Sequence, residues 1–251
     1  MSRVPSSMAG AAMLLLVLGG VAAGSALATP DVGSVTFTLG QKRMTADWYL
    51  SAPRTGAAGD TLPPADPFQP ALGIETTWGR ESWPVWIALD LLHSYDDGLQ
   101  RFPGISLGSL VIPPADVRRR ARTVEIGLGV RRSWQVKGLS PYLGAGGAWV
   151  WTTVDYQMSD PSQGQFGAPG GHVGGQDSAP GIWAGGGLVR PVGRRFQIGL
   201  SGRYSKAKVT IPRSTVAGQH GGYTFTPGTT EVEAGGTHVG LAVGWAYPGR
   251  K

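Results

Sequence analysis

The segment GTHVGLAVGWAY near the C-terminus constrains this chain most. Val239, Leu241, Val243, Trp245 and Tyr247 are large and apolar, and Gly240, Ala242, Gly244 and Ala246 between them are all small. Successive side chains of a strand point to opposite faces. One face here is greasy and bulky, the other nearly bare. That suits a wall with lipid outside and a narrow lumen inside. The expected fold class is therefore all-β: an eight-stranded antiparallel up-and-down transmembrane β-barrel.

The N-terminus reads as an export signal. Arg3 precedes the apolar run Ala11 to Leu18, and Ala26-Leu27-Ala28 forms an A-x-A cleavage site. The reading is a signal peptide over 1–28, cleaved before Thr29, and a barrel over 29–251. The run is too short and too small-residue-rich at its end for a membrane anchor. No Cys occurs, which excludes lipid attachment through Cys and excludes disulfides.

After residue 28 no stretch is apolar enough for a membrane helix, and mean hydropathy is −0.05. Only helices and closed barrels satisfy every backbone group in lipid, so a membrane protein of this composition must be a barrel. Glycine supplies 41 of 251 residues. Strand interiors ordinarily avoid Gly, but a narrow wall needs it where the inside crowds. The formal charge is +6. No basic run exceeds Arg118-Arg119-Arg120, and with the export signal this argues against nucleic acid as a partner. A basic balance suits an anionic lipid surface.

Period-2 patterning and turn residues predict eight strands. They fall near 33–43, 70–79, 85–95, 119–133, 140–156, 180–190 and 195–211, with the last from about Thr229 to Tyr247. Connections between them alternate long, short, long, short, long, short, long. An even-numbered barrel with both termini on the short-turn side has that rhythm. The parity sends Val35, Phe37, Leu39, Val124, Ile126, Leu128, Phe196, Ile198 and Leu200 outward. The fifth strand, PYLGAGGAWVW, has small residues at both parities and leaves its facing open. A soluble lipocalin-type barrel would invert the two faces. The export signal, the Gly content and the aromatic last strand favour the membrane barrel.

The strands TVEIGLGVRRSW, PYLGAGGAWVW, FQIGLSGRYSKAKV and GGTHVGLAVGWAY resemble the small outer-membrane barrel superfamily, with the OmpA transmembrane domain and the OmpX and OmpW types. The likeness covers residues 33 to 247. It implies the bacterial outer membrane as location, with lipid and lipopolysaccharide as surroundings. It also implies the barrel-assembly machinery as a partner, which reads a terminal aromatic residue. Here Tyr247 is followed by Pro248-Gly249-Arg250-Lys251, a departure from that ending. A peptidoglycan-binding domain of the OmpA kind is not expected.

With this facing, Lys42, Glu75, Asp90, Glu125, Arg131 and Arg203 point inward and form a charge network filling the lumen. Charges in so narrow a space must pair. The alternatives are a small pore whose pairs exchange partners, a hydrophobic-solute channel, and a lipid A-modifying enzyme. His93-Ser94 invites the enzyme reading. Adjacent strand residues point to opposite faces, however, so the two cannot share a proton. No catalytic residue, cofactor or metal is therefore expected. His172, His220 and His238 lie in loops or a loop-proximal strand without metal spacing. GAGGAW and Gly185–Gly187 open no helix and read as wall packing rather than phosphate loops. Trp78, Tyr95, Trp134, Tyr204, Trp245 and Tyr247 are the expected aromatic girdle, with His93 beside Tyr95. The long polar loops, extended by KAKVTI and EVEAGG, could present a surface ligand site. A closed wall leaves no free edge, so a monomer is expected.

Overall fold

The computed structural model describes residues 32–44, 68–80, 82–102, 105–107, 110–112, 115–160, 165–166, 172–219 and 222–247. The elements are β1 (Val32–Met44), β2 (Phe68–Gly79), β3 (Trp86–Phe102), β4 (Ile105–Leu107), β5 (Leu110–Ile112) and β6 (Ala115–Ser133). They continue with β7 (Ser140–Asp160), β8 (Gln165–Phe166), β9 (His172–Val192), β10 (Phe196–Gln219), β11 (Gly222–Glu233) and β12 (Gly236–Tyr247). Among the described residues there is no helix. The signal segment lies outside them, as do His220 and most of the first long loop.

Eight strands close into a ring: β1, β2, β3, β6, β7, β9, β10, β12 and back to β1. Every pairing is antiparallel. Closure runs from Gly33↔Tyr247 to Met44↔Gly236, so the alternating C-terminal strand is zipped to the first. β11 continues β12 in register: Ser205 pairs with Gly236 and Lys208 with Glu233. The two are one wall strand, interrupted at Ala234 and Gly235.

Short turns are set by local chemistry. Lys137 and Gly138 both have positive φ, 48° and 80°, the two-residue type I′ geometry whose twist matches paired strands. Val136 and Leu139 bond each other on either side of it. Gly193, at φ 73°, turns β9 into β10.

The strands run longer than the sequence pattern suggests. β7 and β9 have 21 residues each and β10 has 24, where about ten cross a bilayer. The surplus rises on the long-loop side. Segments read as loop, including 212–219 and 222–228, are strand there. KAKVTI and EVEAGG do extend the wall, with outward Lys208–Glu231 and Lys206–Glu233 pairs.

The outside is an apolar belt. Phe37, Leu39, Leu72, Leu128, Leu143, Ile182, Ile198, Leu200, Leu241 and Val243 are exposed. In water so continuous a patch would be strongly unfavourable. β7 resolves its own ambiguity: Leu143, Trp149 and Trp151 face out, and Tyr142, Ala148, Val150 and Thr152 are buried inside.

Candidate functional site

Among the described residues, three cations and three carboxylates meet in the middle of the lumen. Lys42, near the upper end of β1, is 0% exposed, and Glu125, in mid-β6, is 1% exposed. The Lys42 ammonium donates to the Glu125 carboxylate and, at 3.2 Å, to the Ala234 carbonyl. Arg203 on β10 donates to Glu125 at 3.4 Å and pairs with Asp90 on β3. Arg131 at the foot of β6 pairs with Glu75 on β2. All six residues named from the sequence thus point inward, and each has an opposite-charge partner. Burial of a lone charge costs several kcal/mol, roughly, so mutual neutralisation is a condition of placing these six groups inside the barrel.

Two of the cations also rest on aromatic faces that the sequence reading missed. The Arg131 guanidinium lies 3.5 Å from the Tyr142 ring centroid, and that of Arg203 lies 4.9 Å from Trp183. Trp183 is buried. Its segment, GIWAGGGL, offers no alternation to reveal its facing. Glycines make room for these side chains. A Cβ on Gly127 would sit 2.7 Å from the Asp90 carboxyl carbon, and one on Gly187 would sit 2.7 Å from the Tyr142 ring.

Between the pairs a cavity of about 50 Å³ remains, lined by Glu75, Asp90, Arg131, Tyr142, Arg203 and His238 among others. It has room for a few waters. His238 Nε2 and the Nε atoms of Arg131 and Arg203 find no protein hydrogen-bond partner. His238 is therefore a lumen residue, in register with Lys42 on one side and Arg203 on the other. The sequence reading grouped it with the loop histidines. Among the described residues no cluster of His, Cys, Asp or Glu could hold a metal.

Above the charges apolar side chains join the buried hydroxyls of Ser94, Thr123, Thr152 and Ser205. Val150, Val154, Val209, Ile211, Ala121, Ala207 and Ala234 form one buried cluster with Ala148 and Trp183. This plug was not expected. It lies on the long-loop side, where the wall extends.

The girdle residues fall at the two rims. Trp78, Trp134, Trp245 and Tyr247 sit at the short-turn end, with Phe196 edge-on to Trp245 at 4.5 Å. The Tyr247 hydroxyl donates to the Thr77 carbonyl across β1. Tyr95 and Tyr204 sit on the outer face toward the long loops, and Trp149 and Trp151 face outward on β7. His93 faces out and Ser94 is buried inside. The pair therefore cannot act together.

Beyond that rim, Asp97 accepts two hydrogen bonds from Arg118, at 2.8 and 2.7 Å, and one from Tyr95. The Arg118 bond, more than any other contact, holds its carboxyl below the ordinary carboxylate range. A depressed native pKa stabilises at neutral pH, and that contribution is lost as pH falls through the native value. Protection of the amides at the paired ends of β3 and β6, taken relative to intrinsic exchange at each pH, should therefore fall in strong acid while the belt segments keep theirs. Equal protection at pH 7 and in strong acid would show that the pair does not matter.

No family model and no curated protein matches this chain. Solved structures do. The neisserial surface protein A is 11% identical, with 86% of this chain and 96% of that one covered and a TM-score of 0.39. A major outer membrane protein from Thermus thermophilus is 11% identical, with 86% and 98% covered and a TM-score of 0.48. Ail, the attachment invasion locus protein of Yersinia pestis, is 16% identical, with 87% and 100% covered and a TM-score of 0.37. The likeness is one of fold.

Proposed function

We propose that this chain is a non-enzymatic barrel of the bacterial outer membrane, with a structural and surface-presenting role. One observation carries the reading: the exterior is greasy while the lumen is filled. Three ion pairs occupy its middle, and a Val/Ile/Ala cluster occupies its long-loop end. A buried apolar cluster over paired charges opposes the passage of water and ions, which favours a wall over a pore. In this reading acyl chains surround the belt, lipopolysaccharide surrounds the outer rim, and the aromatic Tyr247 is the signal for barrel assembly. The extended strands and their loops are the surface offered to a ligand.

Planar-bilayer recordings of refolded protein test this. Silence is expected. Discrete current steps that change on Glu75→Gln would replace the wall with a gated pore. Incubation with lipopolysaccharide should leave the acyl-chain masses unchanged, and loss or transfer of a chain would make it an enzyme.

A further inference from the structure

The short-turn rim carries an unbalanced charge that the filled-wall reading does not use. Arg80 opens the β2–β3 turn, Lys137 tips the β6–β7 hairpin, and Arg194 and Arg195 belong to the β9–β10 turn. Arg132 and Arg190 face outward just inside the rim, both exposed. Among the described residues no Asp or Glu lies on the rim itself, and the nearest acids, Glu75 and Asp90, are turned inward onto Arg131 and Arg203. Glu81 in the turn sequence and Asp31 before β1 lie outside the described residues; even counting both, the six cations leave a surplus.

Three of these cations lie against the side of the wall, Arg195 although it stands in a turn. The Arg132 guanidinium donates to the Pro84 carbonyl at 2.8 Å and lies 5.9 Å from the Trp134 ring. The Arg195 guanidinium lies 5.5 Å from the Trp245 ring, and the Arg195 carbonyl is held by the Ala246 amide at 2.7 Å. Arg190 sits beside exposed Ile198. Trp134, Trp245, Phe196 and Val192 continue the apolar belt to its lower edge. The side-facing guanidiniums therefore sit where acyl chains end, the depth of lipid phosphates. Arginine matches phosphate with paired N–H donors.

We infer that this rim is a docking surface for anionic phospholipid headgroups in the leaflet facing the short turns. An acidic soluble protein would meet the tips alone. A phosphate layer meets Arg132, Arg190 and Arg195 from the side, which is how the fold presents them. The inference rests on the membrane reading above.

The test reconstitutes the full chain into bilayers of equimolar phosphatidylcholine and phosphatidylglycerol. Traces of spin-labelled phosphatidylglycerol or phosphatidylcholine then report lipid held at the protein surface. Labelled phosphatidylglycerol should be held about fivefold more strongly at low salt, a preference that fades as salt rises. The triple variant Arg132→Gln, Arg190→Gln, Arg195→Gln should bring it near parity. The matching Lys triple should keep most of it, which separates charge from folding. Arg118→Gln with Arg120→Gln, at the other rim, should leave it unchanged. Equal holding of both lipids by the native chain overturns the inference and leaves the membrane reading standing. A preference lost with Arg118 and Arg120 instead overturns the assignment to this rim. No immobilised lipid of either kind would overturn the membrane reading itself.

Discussion

Glu125→Gln should lower unfolding stability by about 3–5 kcal/mol, measured as a shifted urea midpoint in reconstituted barrels. Glu125 is the shared anion of the lumen. It takes the Lys42 ammonium directly and the Arg203 guanidinium at 3.4 Å. Without its charge, a fully buried ammonium keeps only neutral acceptors, the Ala234 carbonyl and the Gln amide oxygen. The penalty is that of an uncompensated charge rather than the worth of the pair. Lys42→Met combined with Glu125→Leu should therefore recover most of the loss. A single variant within about 0.5 kcal/mol of the parent would mean that water reaches the pair.

Gly127→Leu should be comparably severe, costing about 3 kcal/mol or more, near or beyond the upper end of ordinary overpacking. Its Cβ would press on the Asp90 carboxyl, which Arg203 holds in place. The wall cannot yield easily, since Gly127 is paired to Asp90 on β3 and to Ala148 on β7. The refolded fraction, read from heat-modifiable electrophoretic mobility, should collapse. Gly147→Ala is the control. That position faces outward, and an added Cβ meets nothing nearer than the Gly181 carbonyl at 4.0 Å. Refolding should be unchanged there. Normal refolding of Gly127→Leu would mean that the inner wall is not crowded.

The facing of the barrel was legible because β12 writes it in one strand, large residues against Gly and Ala. Parity carried from strand to strand then put Glu75, Asp90, Glu125 and Arg203 inside. Which acid meets which base was not legible. That depends on the stagger between strands, and stagger is set by turns and closure that the pattern does not encode. β7 and β9 were opaque for another reason. GAGG and AGGG place small residues on both faces, so Tyr142 and Trp183 carried no sign of pointing inward. The plug was hidden by an inversion. Val209 and Ile211 lie on the same inward parity as Arg203, but above the membrane an apolar side chain belongs inside. A rule that apolar means outward holds only within the bilayer.

Single-cysteine spin labels on the last strand test the central claim most directly. The native chain has no Cys, so each label reports one site. Leu241 is 59% exposed on the outer face, and its neighbour Ala242 is 0% exposed on the inner face. In lipid vesicles a label at Leu241 should be mobile and relaxed by membrane-dissolved oxygen, and untouched by a water-soluble nickel chelate. A label at Ala242 should be immobilised and reached by neither. If the nickel chelate reaches position 241 and oxygen does not, the greasy face is not against lipid and the account fails.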